Sequence, residues 1–176
     1  MGKVTKVVID TNLFVSAFGW DGNPEAVIQL LENGFIVNFI SPEIFEEIKR
    51  VVAYPKLKFS ALLQTKILEF VFSHSRLINP EKKVSLIKDD PDDNKFIECA
   101  MTANASFIIS GDPHLLRLEK VENIIIANPT QFLKTLEIGD KLNLSGVWPK
   151  YPKIPYIPPI SNPQSFTYAG PLYDSR

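Results

Sequence analysis

The chain has 176 residues, of which 45% are hydrophobic, and a formal net charge of −1. This length suits one α/β domain with a proper core. No apolar run is long enough to span a membrane. A net charge this close to zero excludes a non-specific nucleic-acid binder of the strongly basic kind. The single cysteine, Cys99, excludes an internal disulfide. Because the start leads directly into a strand pattern, we expect no signal peptide and a reducing, cytoplasmic location.

Strand and helix patterns alternate along the chain. In order, we expect a strand at 4–9, a loop or short helix at 13–18, a helix at 24–33, a strand at 35–40, helices at 43–52 and 60–72, a strand at 76–78, a helix at 91–103, a strand at 106–110, a short helix beginning near His114, a strand at 123–127 and a helix at 129–136. Ser41-Pro42 predicts a capped helix start, and Gly34 predicts a helix end. In the helix at 60–72, the residues expected to point inward are Leu62, Leu63, Ile67, Phe70 and Val71.

This alternation predicts a three-layer α/β/α fold with a central, mostly parallel sheet. In such sheets, ligands bind beyond the carboxyl ends of the strands. Asp10 and Asp112 follow two predicted strands, and the helix that carries Asp93 should begin at the same edge. We therefore expect the functional site there.

The composition changes near Gly139, which divides the chain into a domain at 1–138 and a C-terminal extension at 139–176. Half of the 14 prolines fall in the extension, with six aromatic residues between them. This composition is typical of an extended tail. The aromatic residues suit packing against the domain or against a partner.

Four carboxylates occupy the five positions from Asp89 to Asp93. Asp90 suits an N-cap and Pro91 the first helical position, which leaves Asp93 in line with the apolar stripe formed by Ile97 and Ala100. The plainer interpretation is a capping box formed by Asp90 and Asp93. An unpaired carboxylate facing the core is costly, so a second interpretation is a binding site.

Glu47 borders the apolar face of the helix at 43–52, although an ordinary solvated acid would fit the same pattern. For Asp10 and Asp112, the plainer interpretation is a turn or N-cap acid. If these acids converge, they repel one another unless some are protonated or a cation lies among them. The candidate metal ligands are Asp10, Glu47, Asp90, Asp93 and Asp112.

Oxygen ligands without histidine or cysteine indicate Mg²⁺ or Mn²⁺ rather than Zn²⁺. Such ions suit phosphodiester hydrolysis. The hydroxyls of Thr11 and Ser110 and the amide of Asn12 could place the attacking water or a phosphate oxygen. We expect His74 to lie at a helix end and His114 to cap its short helix.

Four motifs in this order resemble those of PIN-domain nucleases, within the bacterial and archaeal branch described as toxins of toxin–antitoxin systems. They are Val7 to Asn12, Ser41 to Glu47, Asp90 to Asp93 leading to Ala100, and Ile108 to Asp112 leading to Leu116. The resemblance as a whole covers about residues 3–136.

By this resemblance, Asp10, Glu47 and Asp93 are the three core metal-holding acids, Asp112 is the fourth, and Asp90 is an accessory acid. The resemblance implies metal-dependent endonucleolytic cleavage of single-stranded RNA, leaving a 5′-phosphate. It also implies a small antitoxin protein as a partner, and it leaves a homodimer open.

Three alternatives compete with this interpretation. A phosphatase of the haloacid dehalogenase type needs a second Asp where this chain has Asn12. A nucleotide-binding Rossmann domain needs a Gly-rich turn after the first strand, which Asp10-Thr11-Asn12-Leu13 does not provide. A non-catalytic PIN-type RNA-binding or adaptor protein stays open, although the intact acids disfavour it.

Overall fold

The computed structural model describes residues 4–19 and 22–136, so the predicted extension at 139–176 lies outside the described residues. In chain order the elements are β1 (Thr5–Ile9), α1 (Thr11–Gly19), α2 (Asn23–Glu32), β2 (Ile36–Ile40), α3 (Pro42–Val52), α4 (Ala61–His74), β3 (Ser75–Leu77), α5 (Asn94–Ala103), β4 (Phe107–Ile109), α6 (Pro113–Leu116), β5 (Lys120–Val121), β6 (Ile124–Ala127) and α7 (Pro129–Thr135). Short 3₁₀ turns lie at Pro55–Leu57 and Pro91–Asp93.

The sheet has the order β3-β2-β1-β4-β6-β5 and is parallel except where β5 pairs with β6. Helices flank it, which confirms the predicted three-layer α/β/α fold. The central strands are buried because they carry β-branched residues with helices over them: Val7, Val8 and Ile9 in β1 are at most 1% exposed. Among the described residues, we find no helix long and apolar enough to cross a membrane.

The register of the two central strands positions the site. Ile9 of β1 lies opposite Ile109 of β4, so the residues that follow them emerge side by side. The backbone N–H of Asp10 donates to the carbonyl oxygen of Ile109 at 3.0 Å, which extends the ladder by one step. The carboxyl ends of β1 and β4 therefore bring Asp10 and Ser110 to the same edge.

Local signals set several helix boundaries as predicted. The Ser41 hydroxyl accepts a hydrogen bond from the Ile44 N–H at 3.3 Å, and Pro42 begins α3. Gly34 follows α2 with a φ of 74°, a left-handed conformation that glycine adopts without steric cost.

The predicted helix at 91–103 is wrong in its first turn. Pro91–Asp93 forms a 3₁₀ turn, α5 begins at Asn94, and the Asp90 side chain makes no capping hydrogen bond. The capping box of the plainer interpretation is therefore absent there. Ile97 and Ala100 are both fully buried, as the apolar stripe predicted.

The structure contradicts one further expectation, decides between two alternatives at 13–18, and adds one strand that was not expected. Leu62, expected inward, is 66% exposed, whereas Ile67 and Val71 of the same helix are fully buried. The segment at 13–18, expected to be a loop or a short helix, belongs to the nine-residue helix α1, so the helix alternative is confirmed. The antiparallel strand β5 was not predicted because two residues carry too little periodicity to indicate a strand.

Candidate active site

Asp10 lies at the centre of the acidic edge and is only 2% exposed. Its Oδ2 accepts a hydrogen bond from the Ser110 hydroxyl at 2.6 Å, and its Oδ1 accepts one from the Asn12 backbone N–H at 3.2 Å. Burial raises the pKa of Asp10 to about 7, against the opposing effect of the Ser110 hydrogen bond. Glu47 and Asp112 raise the same pKa further through charge repulsion.

Ser110 connects Asp10 to Asp112. While its hydroxyl donates to Asp10, its oxygen accepts the backbone N–H of Asp112 at 2.9 Å. In this arrangement Ser110 orients two candidate ligands. The expectation that it could place a water or a phosphate oxygen stays a prediction.

Asp112 is 2% exposed and caps α6, since its Oδ1 accepts the backbone N–H of His114 at 2.6 Å. The expectation that His114 caps this helix is wrong, because the carboxylate before the proline reaches the first turn instead. The His114 ring lies 3.3 Å from the Arg117 guanidinium, which donates to Asp89 at 2.8 Å.

Asp93 directly precedes α5 and is 9% exposed. The pKa of Asp93 is raised to about 8, chiefly by burial and next by repulsion from the carboxylates of Asp112, Asp10 and Asp90. The positive charge of Lys95 opposes this rise. Within the described residues, the buried Oδ2 of Asp93 accepts no hydrogen bond. An unpaired buried carboxylate oxygen is costly, so it marks a position where a cation or proton would be favourable.

Glu47 reaches the same region from α3 and forms an ion pair with Lys95. The Lys95 Nζ lies 2.6 Å from Glu47 Oε2, and the two side chains are 8% and 17% exposed. Burial raises the pKa of Glu47, and Lys95 opposes that rise. For Lys95, burial lowers the pKa, but the carboxylates of Glu47 and Asp92 outweigh it and the net shift is upward.

Sequence reasoning did not single out Lys95. The available signal was its place two residues after Asp93, at the start of a helix whose Ile97 and Ala100 were expected to face the core. A lysine in such a position needs a carboxylate partner. Which carboxylate it meets depends on how α3 and α5 pack.

Two polar side chains of α5 anchor the segment that leads into the acidic stretch. Asn94 accepts the backbone N–H groups of Leu86 and Ile87 at 2.9 and 3.0 Å, and donates to the carbonyl oxygens of Ile87 and Pro91, both at 2.9 Å. Glu98 accepts from the Val84 N–H and from the Lys83 ammonium, both at 3.0 Å. These bonds tie the approach to Asp90 and Asp93 to α5.

The five candidate acids lie in one electrostatic neighbourhood. Asp10 is affected by Glu47 and Asp112, and Asp93 by Asp10, Asp90 and Asp112. Across residues 4–19 and 22–136, however, no three acidic, histidine or cysteine side chains form a ready-made cage for a metal ion. The donor set still suits a hard divalent cation, because it consists of carboxylates that repel one another and includes the unpartnered Asp93 Oδ2.

Buried carboxylates at the carboxyl edge of a parallel sheet define this protein as an α/β protein with an acidic edge site. The PIN domain family matches residues 6–114, and the chain belongs to that family. An uncharacterized protein of Methanocaldococcus jannaschii is 36% identical over 144 residues, covering 75% of this chain and 92% of its own length.

Among solved structures, the chain is similar to a chain in the crystal structure of VapBC2 from Rickettsia felis bound to a DNA fragment from its promoter. The TM-score is 0.50 at 15% identity, and the match covers 70% of this chain and 98% of the other. At this identity, the similarity supports the fold alone.

Proposed function

We propose that this protein is a metal-dependent endoribonuclease that cleaves single-stranded RNA, acting in the cytoplasm as the toxin of a toxin–antitoxin pair. The proposal rests on the buried carboxylates Asp10 and Asp93, whose pKa values are raised to about 7 and about 8. PIN domains are generally nucleases, which agrees with an acidic site at this edge.

The proposed ligands of Mg²⁺ or Mn²⁺ are Asp10, Glu47, Asp93 and Asp112, with Asp90 as an accessory acid. A divalent ion at such a site stabilises negative charge on a phosphodiester and activates the attacking water. Ser110 and the Asn12 backbone N–H hold the Asp10 carboxylate in one orientation. The Asn12 and Ser110 side chains are proposed to lie beside the scissile phosphate, where they orient the water or a phosphate oxygen.

An apolar surface that includes the start of α3, the helix that also carries Glu47, supports a protein partner. A cavity of about 210 Å³ lies between the start of α3 and the edge strand β3. Phe72 and Leu77, which line it, are 68% and 56% exposed. Exposed apolar side chains of this size favour a protein contact, and we propose that a small antitoxin binds there and occludes the acids.

The first test needs no knowledge of the substrate. The melting temperature of the wild type, Asp93→Asn and Asp10→Asn is measured as Mn²⁺ is titrated, with EDTA as the reference. At ten times the dissociation constant, one ion adds about 1.4 kcal/mol, which corresponds to a rise of roughly 3–5 °C. We expect this rise in the wild type and not in the two variants.

The matched control is Asp89→Asn, which removes a carboxylate from the same acidic stretch. Asp89 is 61% exposed and pairs with Arg117, so this variant should keep the rise. A labelled single-stranded RNA incubated with Mn²⁺ then tests cleavage, which Asp93→Asn should reduce by about 100-fold or more. Metal binding without cleavage of any RNA would favour the adaptor alternative.

A further inference from the structure

Lys95 is a buried cation inside the acidic edge. Its side chain is 8% exposed, and its Nζ lies 2.6 Å from Glu47 Oε2. The ammonium also donates a hydrogen bond to Asp92 and lies 5.3 Å from the centre of the Phe96 ring. Because Asp92 is 71% exposed and Glu47 only 17%, Glu47 is the partner whose charge most needs compensation.

Stability alone is a weak reason for a charged pair at this position. Removing two charges from water costs several kcal/mol per ion, and apolar residues of similar volume often serve a fold as well or better. A role for the positive charge itself would explain why a lysine occupies this position. Lys95 lies two residues from Asp93, and its charge lowers the electrostatic cost of ionising the Asp93 carboxyl.

We propose that Lys95 is a positioning residue for Glu47 and the resident counter-cation of the acidic edge, which sets how strongly that edge attracts a divalent ion. This inference rests on the proposed metal-dependent function. Before a divalent ion arrives, Lys95 offsets the repulsion among the carboxylates and holds Glu47 through its Oε2. Once an ion is present, Lys95 repels it and competes with it for Glu47.

Two opposite consequences follow from removing this charge. Without metal, Glu47 loses its partner in a buried position, so the protein should melt at a lower temperature. With metal, one fewer positive charge acts on the ion, so its affinity should increase. A merely structural lysine would lower the melting temperature equally in both conditions.

The experiment measures Mn²⁺ binding by calorimetry and melting temperature in EDTA and in Mn²⁺, for the wild type and Lys95→Met. We expect Lys95→Met to melt at a lower temperature in EDTA, to bind Mn²⁺ at least about fivefold more tightly, and to gain more degrees from Mn²⁺ than the wild type. Lys95→Arg, which keeps the charge, should keep the wild-type affinity.

The matched control is Lys49→Met. Lys49 lies in α3 and pairs with Glu46 at 2.8 Å, but these side chains are 45% and 62% exposed. This variant changes the net charge by the same amount and should leave Mn²⁺ affinity within about twofold of the wild type, because solvent screens exposed charges.

A double-mutant cycle tests whether Lys95 acts through Glu47. In EDTA, Lys95→Met should lower the melting temperature clearly less when Glu47 is already Gln, since no buried carboxylate then loses its partner. This comparison also serves if Lys95→Met alone folds poorly, because the double variant buries neither charge.

The outcomes separate the two proposals. If the wild type gains from Mn²⁺ but Lys95→Met binds it equally or more weakly, the role of Lys95 as counter-cation is overturned and the metal site stands. That role is also overturned if Lys95→Arg tightens binding as much as Lys95→Met does. If the wild type neither binds Mn²⁺ nor gains from it, the proposed metal-dependent function fails, and this inference fails with it.

Discussion

At the scale of single residues, the acidic edge brings together buried carboxylates whose ionisation is unfavourable. Burial raises the pKa of Asp10 and of Asp93 far above that of a free aspartate, and repulsion from neighbouring carboxylates raises both further. Ser110 orients Asp10, Lys95 offsets Glu47, and the Asp93 Oδ2 accepts no hydrogen bond within the described residues. Buried carboxylates of this kind lower the stability of the fold when they are ionised. A cation that neutralised them would remove this cost, so the arrangement suits ligand binding better than stability.

The raised pKa values predict how the metal-free protein responds to pH. Asp10 and Asp93 have pKa values near 7 and 8 when folded, against 3.8 as the ordinary value. At pH values between the ordinary pKa and the raised pKa, the folded state binds more protons than the unfolded state. The free energy of unfolding therefore falls as the pH rises through this range. From about pH 5 to pH 8, each carboxyl should lower it by at least about 1 kcal/mol.

The measurement is urea unfolding in EDTA at several pH values. Asp93→Asn should give a flatter dependence than the wild type and should be the more stable protein at pH 8. A wild-type stability that rises steadily across this range would contradict the raised pKa values. Asp89→Asn serves as the reference for loss of an exposed carboxylate.

At the scale of elements, α5 holds the site together. One face carries Ile97 and Ala100 into the core, while Asn94, Lys95 and Glu98 are buried polar residues with specific partners. Asn94 and Glu98 fix the preceding segment, and Lys95 reaches across to α3. This helix therefore links the packing of the core to the position of the carboxylates.

Asn94→Ala should loosen the segment that leads to Asp90. The substitution removes all four hydrogen bonds of the Asn94 side chain and leaves the buried Ile87 N–H without its acceptor. We expect a loss of about 2–3 kcal/mol in the free energy of unfolding.

Hydrogen exchange provides the local test, since the Ile87 amide should exchange much faster in Asn94→Ala. Asn33→Ala is the comparison, because Asn33 makes an exposed side-chain hydrogen bond at the end of α2. It should change stability by less than about 0.5 kcal/mol. Unchanged protection of Ile87 would show that Asn94 does not anchor this segment.

At the scale of the whole molecule, the buried core runs from Val7 to Phe132. Phe132 of α7 is fully buried and meets Phe107 of β4 edge to face, with ring centres 5.1 Å apart. Helix α7 therefore belongs to the domain. The division into a domain at 1–138 and an extension at 139–176 stays a proposal.

Truncation tests that division. A chain ending at Ile138 should melt within about 2 °C of the full chain, since it retains every residue of the described core. A chain ending at Asn128 should be strongly destabilised, because losing Phe132 alone costs about 3–5 kcal/mol. Thermal melts of both fragments suffice, and a large loss in the longer one would place part of the extension in the domain.

The sequence by itself determined the layered fold, the order of the elements except β5, and the five candidate acids, because periodicity and strand ends are local. It also identified the start of α3, where Ser41 and Pro42 act within one turn. It failed at Asp90, whose side chain makes no capping hydrogen bond, and at His114, because Asp112 caps that helix instead.

Only the tertiary structure decided how the acids are held. Ser110 meets Asp10 across 100 positions of sequence because β1 and β4 pair in one register. Lys95 meets Glu47 because α3 and α5 pack with these faces together. The physical reason is that the energy of a buried charge depends on its surroundings in space, and those surroundings come from distant parts of the chain.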